Sequence, residues 1–106
     1  MSFNDVENRE WKELVPGVRA RTFWGDKLMV CHVMVDKEAV VPMHSHPHEQ
    51  GGTVVDGQIE FTIDGETRLL TAGDSYVIKG DVQHMAVGKT DCKLFEIFAP
   101  VREAYK

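Results

Sequence analysis

Cysteine is scarce: only Cys31 and Cys92 occur, far apart and each inside strand-like sequence. Such a pair reads as two buried thiols rather than a disulfide framework, and it points to a reducing, cytoplasmic compartment. Cationic residues are also in short supply, with 12 lysines and arginines against 17 aspartates and glutamates and a net charge of −5. A nucleic acid or an anionic membrane gains little from so few cations, so neither is expected as a partner. Long apolar runs are missing, which excludes a membrane-spanning helix, and the N-terminus is too polar and acidic to read as a signal peptide. There is no convincing helical period, no internal repeat and no low-complexity segment.

What the chain does have is short strands and turns. At 106 residues it is expected to be one domain, able to bury roughly two-thirds of its unfolded surface. Residues 1–17 read as an N-terminal arm, mostly polar and closed by Pro16-Gly17. Residues 18–99 read as the folded body and residues 100–106 as a tail, with a helical turn near Arg102 to Tyr105. Strands are expected over Val18–Trp24, Lys27–Val35, Gln58–Ile63, Glu66–Thr71, Ser75–Ile78, Val82–Val87 and Lys93–Ala99. Gly25-Asp26, Asp56-Gly57, Asp64-Gly65 and Gly80-Asp81 separate them as turns. This rhythm predicts an all-β fold, an antiparallel sandwich or small barrel. The second of these strands is apolar on both faces apart from His32, which places it within such a barrel.

The stretch from Pro42 to Gly52 carries the chemistry, with His44, His46 and His48 close together among apolar runs. In an extended strand, side chains two apart share a face, so His44 and His46 would aim two imidazoles at one point. Gln50 and His48 share that parity and compete for the third position, while Pro47 and Gly51-Gly52 predict a bend. The remainder of the chain would then bring His84 to the same point. Neutral imidazole suits divalent transition metals, and a neutral glutamine ligand would leave the site more positive than a carboxylate would. The plain alternative is a solvated, histidine-rich loop.

Glu96 is a second feature. It alternates with Leu94 and Phe98 in a strand apolar on both sides. A buried carboxylate must be protonated, paired or functional, so Glu96 is either an acid/base group or the partner of an arginine such as Arg19 or Arg21. Arg102, beyond Pro100, could fold back over the barrel mouth and bind a carboxylate bidentately, or lie on the surface. Met43, Tyr76, Met85, Phe98 and His32 are candidates for a pocket wall, with plain core packing as the alternative for each.

His44-Ser45-His46 with Gln50 and Gly57 resembles the first motif of the cupin superfamily, and Gly73 to Ile78 followed by His84 resembles the second. The resemblance spans nearly the whole chain. It implies a double-stranded β-helix (jelly-roll) barrel with His44, His46, Gln50 and His84 around one divalent metal, whether zinc, nickel, manganese or iron. Glu38 and Asp81 stand where those motifs expect glycine, Lys79 where proline is expected, and Gln50 where glutamate is usual.

Phe98-Ala99-Pro100-Val101-Arg102-Glu103 extends the resemblance to the small cupins of pectin degradation. Those convert 4,5-unsaturated monouronates to linear ketouronates. By this resemblance Arg102 would hold the substrate carboxylate and Glu96, where the family has aspartate, would be the acidic group. The alternatives are a metal-dependent dioxygenase, which the neutral Gln50 disfavours, and a non-catalytic cupin that binds a small ligand. A homodimer is expected, with the N-terminal arm adding a strand to a partner's sheet.

Overall fold

The computed structural model describes residues 2–106. Ten strands follow in order: β1 (Lys12–Val15), β2 (Val18–Trp24), β3 (Met29–Val35), β4 (Val40–His44), β5 (Glu49–Asp56), β6 (Gln58–Ile63), β7 (Glu66–Thr71), β8 (Ser75–Ile78), β9 (His84–Gly88) and β10 (Cys92–Ala99). A short 3-10 turn, Glu103–Tyr105, closes the chain where a helical turn was expected. The strands form two antiparallel sheets, β1-β2-β3-β10-β5-β8 and β4-β9-β6-β7. From β3 onwards the chain crosses between the sheets at every connection except the β6–β7 hairpin, which makes a jelly-roll barrel as expected. No helix among the described residues is long and apolar enough to cross a membrane.

The alternation read in the sequence sets which residues enter the barrel. Val18, Ala20 and Thr22 on β2, Met29, Cys31, Val33 and Val35 on β3, and Cys92, Leu94, Glu96 and Phe98 on β10 are all buried. Ile59 and Phe61 enter from the second sheet. Cys31 and Cys92 are free buried thiols, and burial pushes Cys31 up to about 12, which leaves it unreactive.

Several expectations need correction. β3 starts at Met29, not Lys27, because Gly25 N–H bonds Leu28 O at 3.0 Å and holds the connection as a longer loop. β9 starts at His84, not Val82, because Asp81 takes a left-handed φ of 66° and Val82 N–H turns back to Lys79 O. Gly51-Gly52 makes no bend and lies inside β5. His32 is neither core nor pocket: it points outward, its ring edge-on to Phe23 and Phe95 at 6.3 and 5.5 Å. The N-terminal arm contributes β1 to its own sheet, where it pairs with β2.

The turns that depart from the glycine pattern keep the glycine conformation. Glu38 and Asp81 have φ of 69° and 66°. The hairpin at Asp64-Gly65 has positive φ at both residues, 51° and 80°, as a type I′ turn requires.

Candidate metal centre

Three histidines reach one point by three routes. His44 ends β4 and sits directly opposite His84, the first residue of β9, with ring centroids 4.2 Å apart. His46 is not a strand neighbour of His44, as parity had suggested. Pairing of β4 with β9 shifts register between Val41 and His44 and resumes at His44, where β4 ends, and His46 comes from the loop that leads to β5. Asp81 N–H bonds His46 O at 2.8 Å and fastens that loop. The result still converges: one ring nitrogen each of His44, His46 and His84 lies within 4.8 Å of the others.

Hydrogen bonding fixes which nitrogens those are. Nδ1 of His44, His46 and His84 lies 2.7, 2.9 and 2.8 Å from the carbonyl oxygens of Pro42, His48 and Val82. A carbonyl only accepts, so each Nδ1 carries the hydrogen and each neutral ring is left with a bare Nε2. Burial is the chief cause lowering the affinity of His46 and His84 for a second proton, with Arg102 adding to it; His46 falls to about 4. His84 Nε2 is buried and has no hydrogen-bond partner among the described residues.

Gln50 projects inward from β5. Its Nε2 donates to Glu96 Oε2 at 2.6 Å, which turns its Oε1 towards His46 Nε2 at 3.1 Å. With the His46 hydrogen on Nδ1, that is one lone pair facing another, an arrangement a cation between them makes favourable. The orphaned His84 nitrogen and this acceptor pair both fit a divalent metal. His48 supplies its carbonyl to His46, and its ring stands outside the triad.

Glu96 is fully inside the barrel and is not paired with Arg19 or Arg21. Those arginines lie outside it, Arg19 at 3.6 Å from Asp36 and Arg21 stacked 4.0 Å over Trp11. Burial raises the Glu96 carboxyl above its usual range, opposed by hydrogen bonds from Tyr76 and Gln50 and by the charge of Arg102. Arg102 does return over the barrel. Its guanidinium lies 3.9 Å over the Tyr105 ring and 5.3 Å over Phe98. Thr22 Oγ1 and Lys12 Nζ pin the tail by donating to the Tyr105 and Ala104 carbonyls at 2.6 and 2.7 Å.

His44, His84, Gln50, Glu96 and Arg102 line one cavity, with Met85 and Phe98 in its wall. Met43 is exposed, and Tyr76 stands behind Glu96 rather than in the wall. Tyr105, also in the lining, carried no signal in the sequence, because its place depends on how the tail folds back.

Comparison with known proteins gives a consistent picture. A family model described as a cupin domain matches residues 31–98. The pectin degradation protein KdgF of Dickeya dadantii is 33% identical over 95 residues, covering 87% of this chain and 86% of that one. An RmlC-like cupin from Shewanella frigidimarina superposes with a TM-score of 0.94 at 32% identity, covering 100% of this chain and 96% of the other. KdgF from a Halomonas species gives 0.90 at 32% identity, covering 98% and 97%.

Proposed function

The chain belongs to the cupin family, and from that premise we propose that it is a metal-dependent enzyme opening 4,5-unsaturated monouronates to their linear keto form. The reading rests on one observation: three bare imidazole nitrogens converge at the wall of a cavity, which His44 and His84 line together with a buried carboxyl and an arginine. Likeness to pectin degradation proteins along nearly the whole chain supports the substrate class.

In this reading His44, His46, His84 and Gln50 hold one zinc, nickel, manganese or iron ion, which when bound supplies Lewis-acid polarisation of sugar oxygens. Arg102 takes the substrate carboxylate. Its guanidinium is held against two aromatic rings, so little freedom is lost when it binds. Glu96 moves the proton. The C1 hydroxyl gives up its hydrogen, the C1–O5 bond breaks to leave an aldehyde, and C4 gains a proton as C5 becomes the ketone. The sum is an isomerisation that needs no co-substrate. A carboxyl whose proton is held more tightly than usual suits the donation to C4.

The test follows the ultraviolet absorbance of the conjugated 4,5 double bond of an unsaturated monouronate. Metal-loaded protein should abolish it, Glu96→Gln should lower kcat about 100-fold or more, and Arg102→Ala should chiefly raise KM. Metal-loaded wild type that leaves the absorbance at the uncatalysed rate would sink the proposal. Oxygen uptake by iron-loaded protein would favour an oxygenase instead.

For assembly, the proposal is a homodimer in the cytoplasm. Phe23, Val30, Ile97, Gly51 and Val77 are register partners on the outer face of the larger sheet, an apolar row across five strands. Val77 is 69% exposed and Ile97 39%. Five strands at about 4.8 Å and about seven residues at about 3.3 Å give a face near 550 Å² per copy. Two such faces reach the area of about 1,000 Å² that a specific pair needs. Val77→Glu with Ile97→Glu should turn a dimer into a monomer in sedimentation; a monomeric wild type would refute the pairing.

A further inference from the structure

Inside the barrel, one transverse row of the larger sheet reads Thr22, Cys31, Glu96, Gly52, Tyr76 across β2, β3, β10, β5 and β8. Glu96 and Tyr76 are thus two strands apart, about 9.6 Å at the backbone. They touch only because the residue between them is glycine. The Tyr76 ring lies across Gly52, in the space a Cβ there would occupy, and its hydroxyl donates to Glu96 Oε2 at 2.6 Å. The same Oε2 accepts the Gln50 Nε2–H.

We propose that Tyr76 is a positioning residue of the metal centre: by committing its hydrogen to Glu96 Oε2, it fixes the Gln50 amide with its oxygen towards the histidines. The reason is directional. If Gln50 were turned over, its oxygen would meet Glu96 Oε2, acceptor against acceptor, unless the carboxyl proton sat on that oxygen. Tyr76 already places a hydrogen there, so the proton is driven to the other carboxyl oxygen and the turned amide gains no partner. Tyr76 touches neither the histidines nor the cavity, so its effect on the metal passes through Glu96 and Gln50. Outer-shell hydrogen bonds of this kind set ligand orientation and metal affinity. The inference rests on the metal-binding half of the proposed function and is independent of the substrate.

Zn²⁺ affinity of chelator-stripped protein, measured by competition with a chromophoric chelator, tests this. Tyr76→Phe should weaken Zn²⁺ binding about 10-fold, while Tyr76→Phe made in a Gln50→Ala background should cause no further loss. A structural effect of the ring would persist in that background, and its persistence would overturn the inference. So would an unchanged Zn²⁺ affinity in Tyr76→Phe. Should Tyr76→Phe fold poorly, Glu96→Gln keeps the test: an amide there can satisfy either orientation of Gln50, so affinity should fall in the same Gln50-dependent way. Wild type that binds no Zn²⁺ would overturn the metal site itself, a result distinct from loss of uronate activity.

Discussion

Replacing Gly52 with alanine puts a methyl group where the Tyr76 ring lies, against Cζ, Cε2 and the hydroxyl. The ring cannot retreat cheaply, since it is buried and packed 4.3 Å from the Phe61 ring. Forcing a methyl into such a core costs about 1–3 kcal/mol. Moving the hydroxyl off Glu96 forfeits a hydrogen bond to a carboxyl, about 1.5–3 kcal/mol when it is ionised. Against this, alanine restricts the unfolded chain and returns about 0.4–1 kcal/mol. The expected net loss is about 2–5 kcal/mol, read from the urea midpoint at unchanged slope. Truncating the ring makes room, so Gly52→Ala should cost far less on a Tyr76→Val background than on wild type. Loss below about 0.5 kcal/mol on wild type, or full additivity of the two changes, would refute the reasoning.

The stability of the metal-free protein should depend on pH through two opposed limbs. His46 ordinarily titrates at 6.5 but at about 4 when folded, so the unfolded chain binds the proton first and stability falls as pH drops from about 6.5 towards 4. Glu96 has a raised pKa, so its contribution is full when protonated and is lost as pH rises through that value. Glu96→Gln removes the second limb; its melting temperature should climb from pH 4.5 to 6.5, and a flat or falling profile would contradict the assignment. Glu38 and Asp81 hold left-handed backbone without being glycine, a strain of about 1–2 kcal/mol each. Glu38→Gly and Asp81→Gly should each be stabilising by up to about 1 kcal/mol in chemical denaturation, after the unfolded-state entropy of glycine is counted; destabilisation by either would show the side chain holds the turn.

Alternation and turn chemistry are local, so the sequence alone determined the all-β class, the division of β10 into two faces and the hairpin at Asp64-Gly65, while which face of β10 turns inward came only with the fold. The spacing of His44, His46 and Gln50 marked the candidate site, although for His46 the reason was wrong: its position comes from a loop rather than strand parity. The direction of each imidazole was not legible, because the carbonyls of Pro42, His48 and Val82 that orient them depend on backbone path. Glu96 could be recognised as a carboxylate in an apolar strand, but not its partners. An arginine was an equal expectation until register set Arg19 and Arg21 on the outer face and Gln50 and Tyr76 within reach. Gly52 carried a trace of this, since a glycine inside a strand often marks a close approach. Which residue approaches it is fixed only when β8 pairs with β5 and β5 with β10. Side-chain periodicity is encoded in neighbouring residues, whereas cross-strand partnership depends on sheet order and register, which only the assembled barrel decides.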